Sequence, residues 1–185
     1  MTMFISLGVF LLVLIWAIGN YNVLVRLRQH CRESWAGIDT ELKRRYDLIP
    51  NLVEVVKSYA AHERETLQAV TDARARAVGS SGSPASQAKD ENAFVGSLRQ
   101  LFAVVESYPD LKASEHFLEL QRELANTENR IQAARRFYNG NVRDLNTRIE
   151  VVPSNIIASL FRFEPQEFFE IEEAASRAAP SVAIN

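Results

Sequence analysis

The chain has few of the residues that break or crosslink regular structure. Its 185 residues include 7 glycines, 6 prolines and 1 cysteine. Because glycine and proline mark turns, their scarcity disfavours a turn-rich all-β fold and a collagen-like or low-complexity class. A single cysteine, Cys31, excludes an intramolecular disulfide and a cysteine-rich metal site. The balance of 21 basic against 23 acidic side chains, a formal net charge of -2, argues against bulk binding of nucleic acid.

Charge is also missing from the start of the chain, where no Asp, Glu, Lys or Arg precedes Arg26. Within that stretch, residues 3–18 carry one polar side chain, Ser6. At about 1.5 Å per residue a helix over the uncharged stretch is about 37 Å long, enough to cross a hydrocarbon core of about 30 Å. We therefore predict a transmembrane anchor at residues 1–25, in contact with the lipid bilayer through residues 3–25.

Two other interpretations of this segment fit less well. A cleaved signal peptide has basic residues before its apolar run and a small-residue cleavage site, whereas here no Lys or Arg comes first and Ala17–Gly19 leads straight into helical patterning. A buried core helix seldom lacks every charge over such a length.

The basic residues that follow the span predict its orientation. Lys and Arg concentrate on the cytoplasmic side of a membrane helix, and six lie within about 20 residues after this one: Arg26, Arg28, Arg32, Lys43, Arg44 and Arg45. We expect a short N-terminus outside and the rest of the chain in the cytoplasm, at the inner membrane of a cell. The lone Cys31 agrees with a reducing compartment.

Beyond the span, apolar residues recur every three or four positions, the spacing of one helical face. The first stripe runs from Leu24 to Ile49 and continues to Val70 in nearly the same phase, despite Pro50. Proline inside a helix removes a hydrogen bond and costs about 3 kcal/mol, so the chain is expected to kink or to turn near Pro50. Retention of phase favours a kink, but short loops between packed helices are common, and the sequence leaves both open.

Two further helical segments are predicted. Residues 79–84 are small and turn-forming, which indicates a flexible linker. A phosphate loop is excluded because no Lys-Ser/Thr follows. Ser83 is expected to cap the next helix, and Pro84 to be its first residue. That helix ends before Pro109. The last segment, of about 35 residues and some 50 Å, needs partners along its whole apolar side.

These segments predict an all-α fold, in which an N-terminal transmembrane helix precedes an antiparallel bundle of long helices. There are four helical segments, and the first two form one helix if Pro50 is a kink. The bundle domain is predicted at residues 26–163. The acidic tail, residues 164–185, is expected to dock weakly or to bind a partner, with disorder after Ala178.

Several long stretches resemble a known protein family in their residues, beyond the helical spacing of their apolar positions. In chain order they are Tyr21-Asn22, residues 41–75 (ELKRRYDLIPNLVEVVKSYAAHERETLQAVTDARA), 108–113 (YPDLKA), 117–139 (FLELQRELANTENRIQAARRFYN) and 153–161 (PSNIIASLF). Together with the apolar N-terminus they resemble the LemA family over about residues 20–163. Leu145 departs from the tyrosine common before Asn146 in that family, but it lies on the apolar stripe and suits a core.

The resemblance implies a bacterial single-pass membrane protein with its N-terminus outside and a helical bundle inside. Relatives take part in membrane-associated processes, including magnetosome biogenesis. The family has no assigned catalytic residues, so none is carried over to this chain.

The sequence itself offers little chemistry. His62-Glu63 lacks the second histidine of a zinc-protease helix, since Thr66 stands four residues on. Cys31 lies on the apolar stripe and is best interpreted as a small buried group. We expect no catalytic residue, no cofactor and no metal site, and a protein that is not an enzyme.

Two charged groups, residues 43–47 and 128–130, have an ordinary interpretation as solvated helix faces. Thr127, however, occupies a stripe position, which indicates a polar layer inside the bundle, and buried polar groups need partners. Our hypothesis is that the two groups meet across the bundle near Pro50 as a structural polar network. Its members would be Arg45, Asp47, Glu128, Asn129 and Arg130.

Two classes of function remain open. The first is a membrane-anchored interaction or scaffold protein with a protein partner. The second is a membrane-tethered ligand-binding protein or an enzyme with an unfamiliar polar site. A deep pocket at the charged groups would favour the second, and exposed apolar patches the first. The long apolar stripe also leaves a homo-oligomer open.

Overall fold

The structure, a computed structural model, describes residues 1–171 and is built almost entirely of helices. In chain order they are α1 (Thr2–Tyr59), α2 (Arg64–Gly79), α3 (Pro84–Val105), α4 (Pro109–Lys112), α5 (Glu115–Glu150) and α6 (Ser154–Leu160). The predicted all-α fold is confirmed. The end of the acidic tail, with the disorder expected after Ala178, lies outside the described residues.

Helix α1 has 58 residues and is about 87 Å long at about 1.5 Å per residue. Residues 1–16 are exposed on every side, and Asn20 is the first buried residue. Within residues 1–171, α1 is the one helix long and apolar enough to cross a membrane, and no part of its apolar window is buried. The predicted boundary between anchor and bundle, at residues 25 and 26, falls inside this unbroken helix.

Helix α1 continues through Pro50, so a hairpin turn at that point is excluded; the chain turns only after Tyr59. Proline has no N–H to give to the carbonyl four residues earlier, which belongs to Tyr46. Arg74 of α2 supplies the donor, since its Nε donates to the Tyr46 carbonyl oxygen over 2.7 Å. The neighbouring helix thereby satisfies the acceptor that the proline leaves unpaired.

Helix α5 lies antiparallel to α1 along the bundle. Near the apolar segment, Arg148 Nη2 donates to Asn20 Oδ1 over 2.7 Å, and farther along Asn141 Nδ2 donates to the His30 carbonyl over 3.4 Å. Helices α2 and α3 form an antiparallel pair that packs against this one. A short linker joins α2 to α3. The predicted cap of α3 is confirmed, since Pro84 is its first residue and the Ser83 hydroxyl accepts from the Ser86 N–H. The antiparallel bundle is confirmed, and α5, with 36 residues, is the long segment that was predicted at about 35.

The start of the acidic tail forms part of the bundle. Residues 164–171 run back along α5, where two asparagines one heptad apart each exchange two hydrogen bonds with the tail backbone. Asn146 pairs with Gln166 (2.8 and 2.9 Å), and Asn139 pairs with Phe169 (2.9 and 3.1 Å). Phe169 and Ile171 are buried. The expectation of weak docking is therefore wrong for this part of the tail, because its alternate apolar side chains complete the core.

Candidate functional site

A charged cluster lies inside the bundle, centred on Arg45 of α1. This arginine is 1% exposed. Its Nη1 donates to Glu128 Oε2 of α5 over 2.9 Å, and its Nη2 donates to Glu91 Oε2 of α3. Glu91 is itself 2% exposed. One guanidinium thus joins three helices at a single level of the core.

Neighbouring side chains satisfy most of the remaining polar atoms. The Tyr46 hydroxyl donates to Glu91 Oε1, and Gln132 Nε2 donates to Glu128 Oε1 over 3.1 Å. The Arg45 guanidinium also lies 5.2 Å from the centre of the Phe94 ring, within the range of a cation–π contact. We call Arg45, Tyr46, Glu91, Glu128 and Gln132 the buried cluster.

The electrostatics of the buried cluster are those of two carboxylates sharing one guanidinium. Burial raises the pKa of Glu91, as does the charge of Glu128, while Arg45 and the Tyr46 hydroxyl act in the opposite direction. Burial and the charge of Glu91 also raise the pKa of Tyr46 well above its ordinary value. Tyr46 therefore stays a neutral donor, and Glu91 holds a proton more tightly than it would in water.

Of the five residues hypothesised to form a polar network, the structure brings together Arg45 and Glu128. Asp47, Asn129 and Arg130 are exposed and lie outside the buried cluster. Each step along a helix turns the side chain by about 100°, so residues one or two positions from an inward-facing one point sideways or outward. Arg130 Nη1 instead lies 3.9 Å from Glu41 Oε1, an ion pair between an exposed guanidinium and a partly buried carboxylate.

Sequence reasoning missed Glu91, Tyr46 and Gln132 as cluster members. Glu91 lies among charged neighbours in a stretch that resembles a solvated face. A signal for it exists, because Glu91 precedes Phe94 by three positions and Phe94 precedes Leu98 by four, the spacing of the α3 apolar stripe. An acidic residue on such a stripe predicts a buried carboxylate that needs a cation.

A cavity of about 200 Å³ adjoins the buried cluster between α3 and α5. Its walls are mainly apolar, with Val95, Leu98, Phe102 and Leu124 among them, and Arg45 and Glu128 form part of its lining. Ligand pockets usually enclose about 300–1,000 Å³. This one has room for a small apolar group. Of the three charged residues in its lining, Arg45 and Glu128 bond each other, and Arg99 is the third.

The other side chains considered for chemistry, His62 and Cys31, do not lie in one common site. In residues 1–171 no three His, Cys, Asp or Glu side chains come together to hold a metal ion, and His62 is exposed in the turn after α1. Cys31 is buried, and burial together with the charge of Asp144 raises the pKa of its thiol. A thiol of raised pKa supplies little thiolate, the nucleophilic form.

The second candidate site is the end of the bundle from which the apolar segment of α1 emerges. There the Tyr21 ring contacts the Phe161 ring at 4.7 Å and the Phe163 ring at 5.8 Å between centres. The guanidinium of Arg28 lies 4.9 Å from the centre of the Phe163 ring. Arg148 joins this end through Asn20. The basic residues predicted after the span are thus supplemented by an arginine from α5.

Comparisons with known proteins agree on one family. The model of the LemA family matches residues 34–184. Magnetosome protein MamQ 1 and MamQ 2 of Paramagnetospirillum magneticum are each 24% identical to the chain, over 84% of this chain and 66% of theirs. Protein LemA of Metamycoplasma hominis is 26% identical, over 91% of this chain and 76% of its own length. The chain spans slightly less than two thirds of the MamQ proteins.

Proposed function

The chain belongs to the LemA family, and we propose that it is a single-pass protein of the bacterial cytoplasmic membrane whose helical bundle faces the cytoplasm and recruits another protein. The observation that carries this proposal is the continuity of α1. One helix begins with residues 1–16 exposed and apolar and goes on, without a break, to form the bundle. The MamQ relatives are named for the magnetosome and not for a reaction, which agrees with a role other than catalysis.

A cytoplasmic bundle is supported by the basic residues beside the span. Arg26 and Arg32 are exposed just beyond the apolar segment, and Arg148 is bound at the same level. Lys and Arg in such positions are retained on the cytoplasmic side.

Cysteine labelling in intact cells tests this orientation. Ser81 is exposed in the α2–α3 linker, whereas the native Cys31 is buried. A Ser81→Cys variant should resist a membrane-impermeant thiol reagent until the inner membrane is permeabilised, and a Thr2→Cys control should react in intact cells. Labelling of Ser81→Cys before permeabilisation would place the bundle outside.

Recruitment of a partner is supported by isolated apolar side chains on the flanks of the bundle. Phe137 of α5 and Val78 of α2 are more than half exposed, and exposed aromatic side chains are enriched at interfaces. A photoreactive amino acid at position 137 should crosslink one protein in living cells. The same group at Arg143, exposed elsewhere on α5, is the matched control. Equal adducts at both positions, or none, would contradict a partner on this face.

The cavity beside Arg45 and Glu128 favours a second candidate, a membrane-tethered ligand-binding protein or an enzyme. It ranks below recruitment because the polar atoms at its edge bond each other. Native mass spectrometry of the full chain in mild detergent separates the two. A stoichiometric small molecule that is lost in a Leu98→Phe variant, which narrows the cavity, would support the second candidate.

A further inference from the structure

Exposed apolar side chains cluster at one end of the bundle. Apart from the apolar segment of α1, the described residues expose nine large hydrophobic side chains, and five of these lie between residues 151 and 161. We call four of them, Val152, Ile156, Leu160 and Phe161, the apolar cap. Their exposed fractions range from 53% to 78%. This density is unusual for a surface that meets only water.

The apolar cap includes the outer, exposed face of α6. Ile156 and Leu160 are four residues apart in α6, so they share one face of that helix, and Val152 is exposed in the turn just before it. The opposite face, with Ile157 and Ala158, is buried against the bundle. Helix α6 is thus apolar on two faces: one packs against the bundle, and the outer one is exposed among residues 1–171.

The position of the apolar cap identifies what covers it. Phe161 of the cap lies 4.7 Å from Tyr21 between ring centres, and the hydroxyl of Ser154 at the start of α6 donates to the Arg148 carbonyl over 2.8 Å. Arg148 in turn donates to Asn20. Asn20 is where the exposed apolar segment of α1 ends. The cap is therefore level with the point at which α1 leaves the bundle.

Charge complements this placement. Arg162 follows Phe161 directly and is exposed, and the Arg28 guanidinium lies at the same end, 4.9 Å from the centre of the Phe163 ring. Basic side chains at this depth attract anionic phospholipid headgroups. An exposed apolar surface that is flanked by arginines and lies beside the apolar segment of α1 fits contact with the surface of a bilayer.

We propose that the apolar cap inserts into the surface of the phospholipid bilayer, so that the bundle is held at the membrane by two contacts. Helix α1 crosses the bilayer, and Val152, Ile156, Leu160 and Phe161 enter the headgroup and upper acyl region of the adjacent leaflet. This inference rests on the proposed function, because it requires α1 to span the membrane. The cap sets the tilt and the rotation of the bundle relative to the bilayer, which a single helix would leave undetermined.

Fluorescence quenching by labelled lipid tests the cap directly. The full chain, carrying Ile156→Cys or Leu160→Cys modified with the fluorophore NBD, is reconstituted into vesicles of phosphatidylcholine and phosphatidylglycerol. Part of the lipid carries a doxyl quencher high on its acyl chain. The control is Tyr59→Cys at the opposite end of α1, about 58 Å from Asn20 along the helix. The unsubstituted chain is the blank, since its Cys31 is buried.

Both cap positions should lose most of their NBD emission to doxyl lipid, while the Tyr59 position keeps its emission. Quenching no greater than at Tyr59 overturns the proposal. NBD that is shielded from water yet not quenched also overturns it, because another protein copy would then cover the cap. Flotation with the vesicles is measured on the same samples. A chain that does not float contradicts the proposed anchor, whereas one that floats without quenching contradicts the cap alone.

Discussion

Replacing Arg45 by methionine should lower the free energy of unfolding by about 3–5 kcal/mol, the usual consequence of breaking a buried ion pair. The guanidinium is 1% exposed and bonds Glu91 of α3 and Glu128 of α5. Its removal leaves Glu91 buried without a cation. Since small domains are stable by about 5–15 kcal/mol, the loss is a large fraction of the total. Urea unfolding of the full chain in mild detergent, followed by circular dichroism, measures it.

The pH dependence separates loss of charge from loss of packing. Burial raises the pKa of Glu91 above the ordinary value of 4.5, so the folded state binds the proton more tightly than the unfolded state. The stability that this proton contributes is fully present below about pH 4.5 and declines as the pH rises through the folded pKa. Without Arg45 the folded pKa rises further, so the penalty of Arg45→Met should shrink as the pH falls towards 4.5.

Two control variants test whether the effect of Arg45→Met comes from the charge of the buried cluster. Adding Glu91→Gln to Arg45→Met should abolish the extra pH dependence, because no buried carboxylate remains in α3 to titrate. Arg44→Met, at the exposed neighbouring position, should change stability by no more than about 0.5 kcal/mol. If Arg45→Met costs as little as Arg44→Met, or if its cost is the same at every pH, the electrostatic account of the buried cluster is refuted.

Three further outcomes are expected. Arg74→Ala should lower the free energy of unfolding by about 1–3 kcal/mol, because the Tyr46 carbonyl loses the donor that replaces the Pro50 N–H. In a Pro50→Ala background the helix supplies its own N–H, so most of this loss should disappear. An equal loss in both backgrounds would contradict the explanation. Asn139→Ala removes two hydrogen bonds to the Phe169 backbone, each worth about 1 kcal/mol. Limited proteolysis should therefore cut residues 164–171 faster in this variant than in a control with the exposed substitution Asn129→Ala. Equal rates of cleavage would mean that Asn139 does not hold the tail. Cys31, buried and with a raised pKa, should react with a thiol reagent only when urea unfolds the bundle, and rapid modification of the folded chain would show that its helix opens locally.

The helices could be predicted from the sequence because their signals are local. The spacing of apolar residues located α5, and Ser83 with Pro84 located the start of α3. What happens at Pro50 could not be predicted locally, since the donor that rescues its helix belongs to Arg74, on another helix. The proline rule states what is lost at such a position but does not say which distant side chain restores it.

The candidate site was only partly predictable for a related reason. Arg45 and Glu128 could be proposed as partners from their types and from the polar stripe position at Thr127, but the register between helices was unknown. Glu91 completes the buried cluster from α3, whose alignment with α1 depends on the whole fold. The tail was misjudged from its composition, because its acidic residues obscured the alternation that buries Phe169 and Ile171.

The unbroken α1 has a mechanical consequence. Since α1 is one continuous helix from Asn20 to Tyr59, a tilt of its apolar segment in the proposed membrane arrangement tilts the whole bundle. Transmembrane helices tilt by about 20° on average, and over the distance of about 58 Å between Asn20 and Tyr59 such a tilt displaces the far tip by about 20 Å. By fixing this tilt, the proposed apolar cap would also fix where the turn after Tyr59 lies relative to the bilayer.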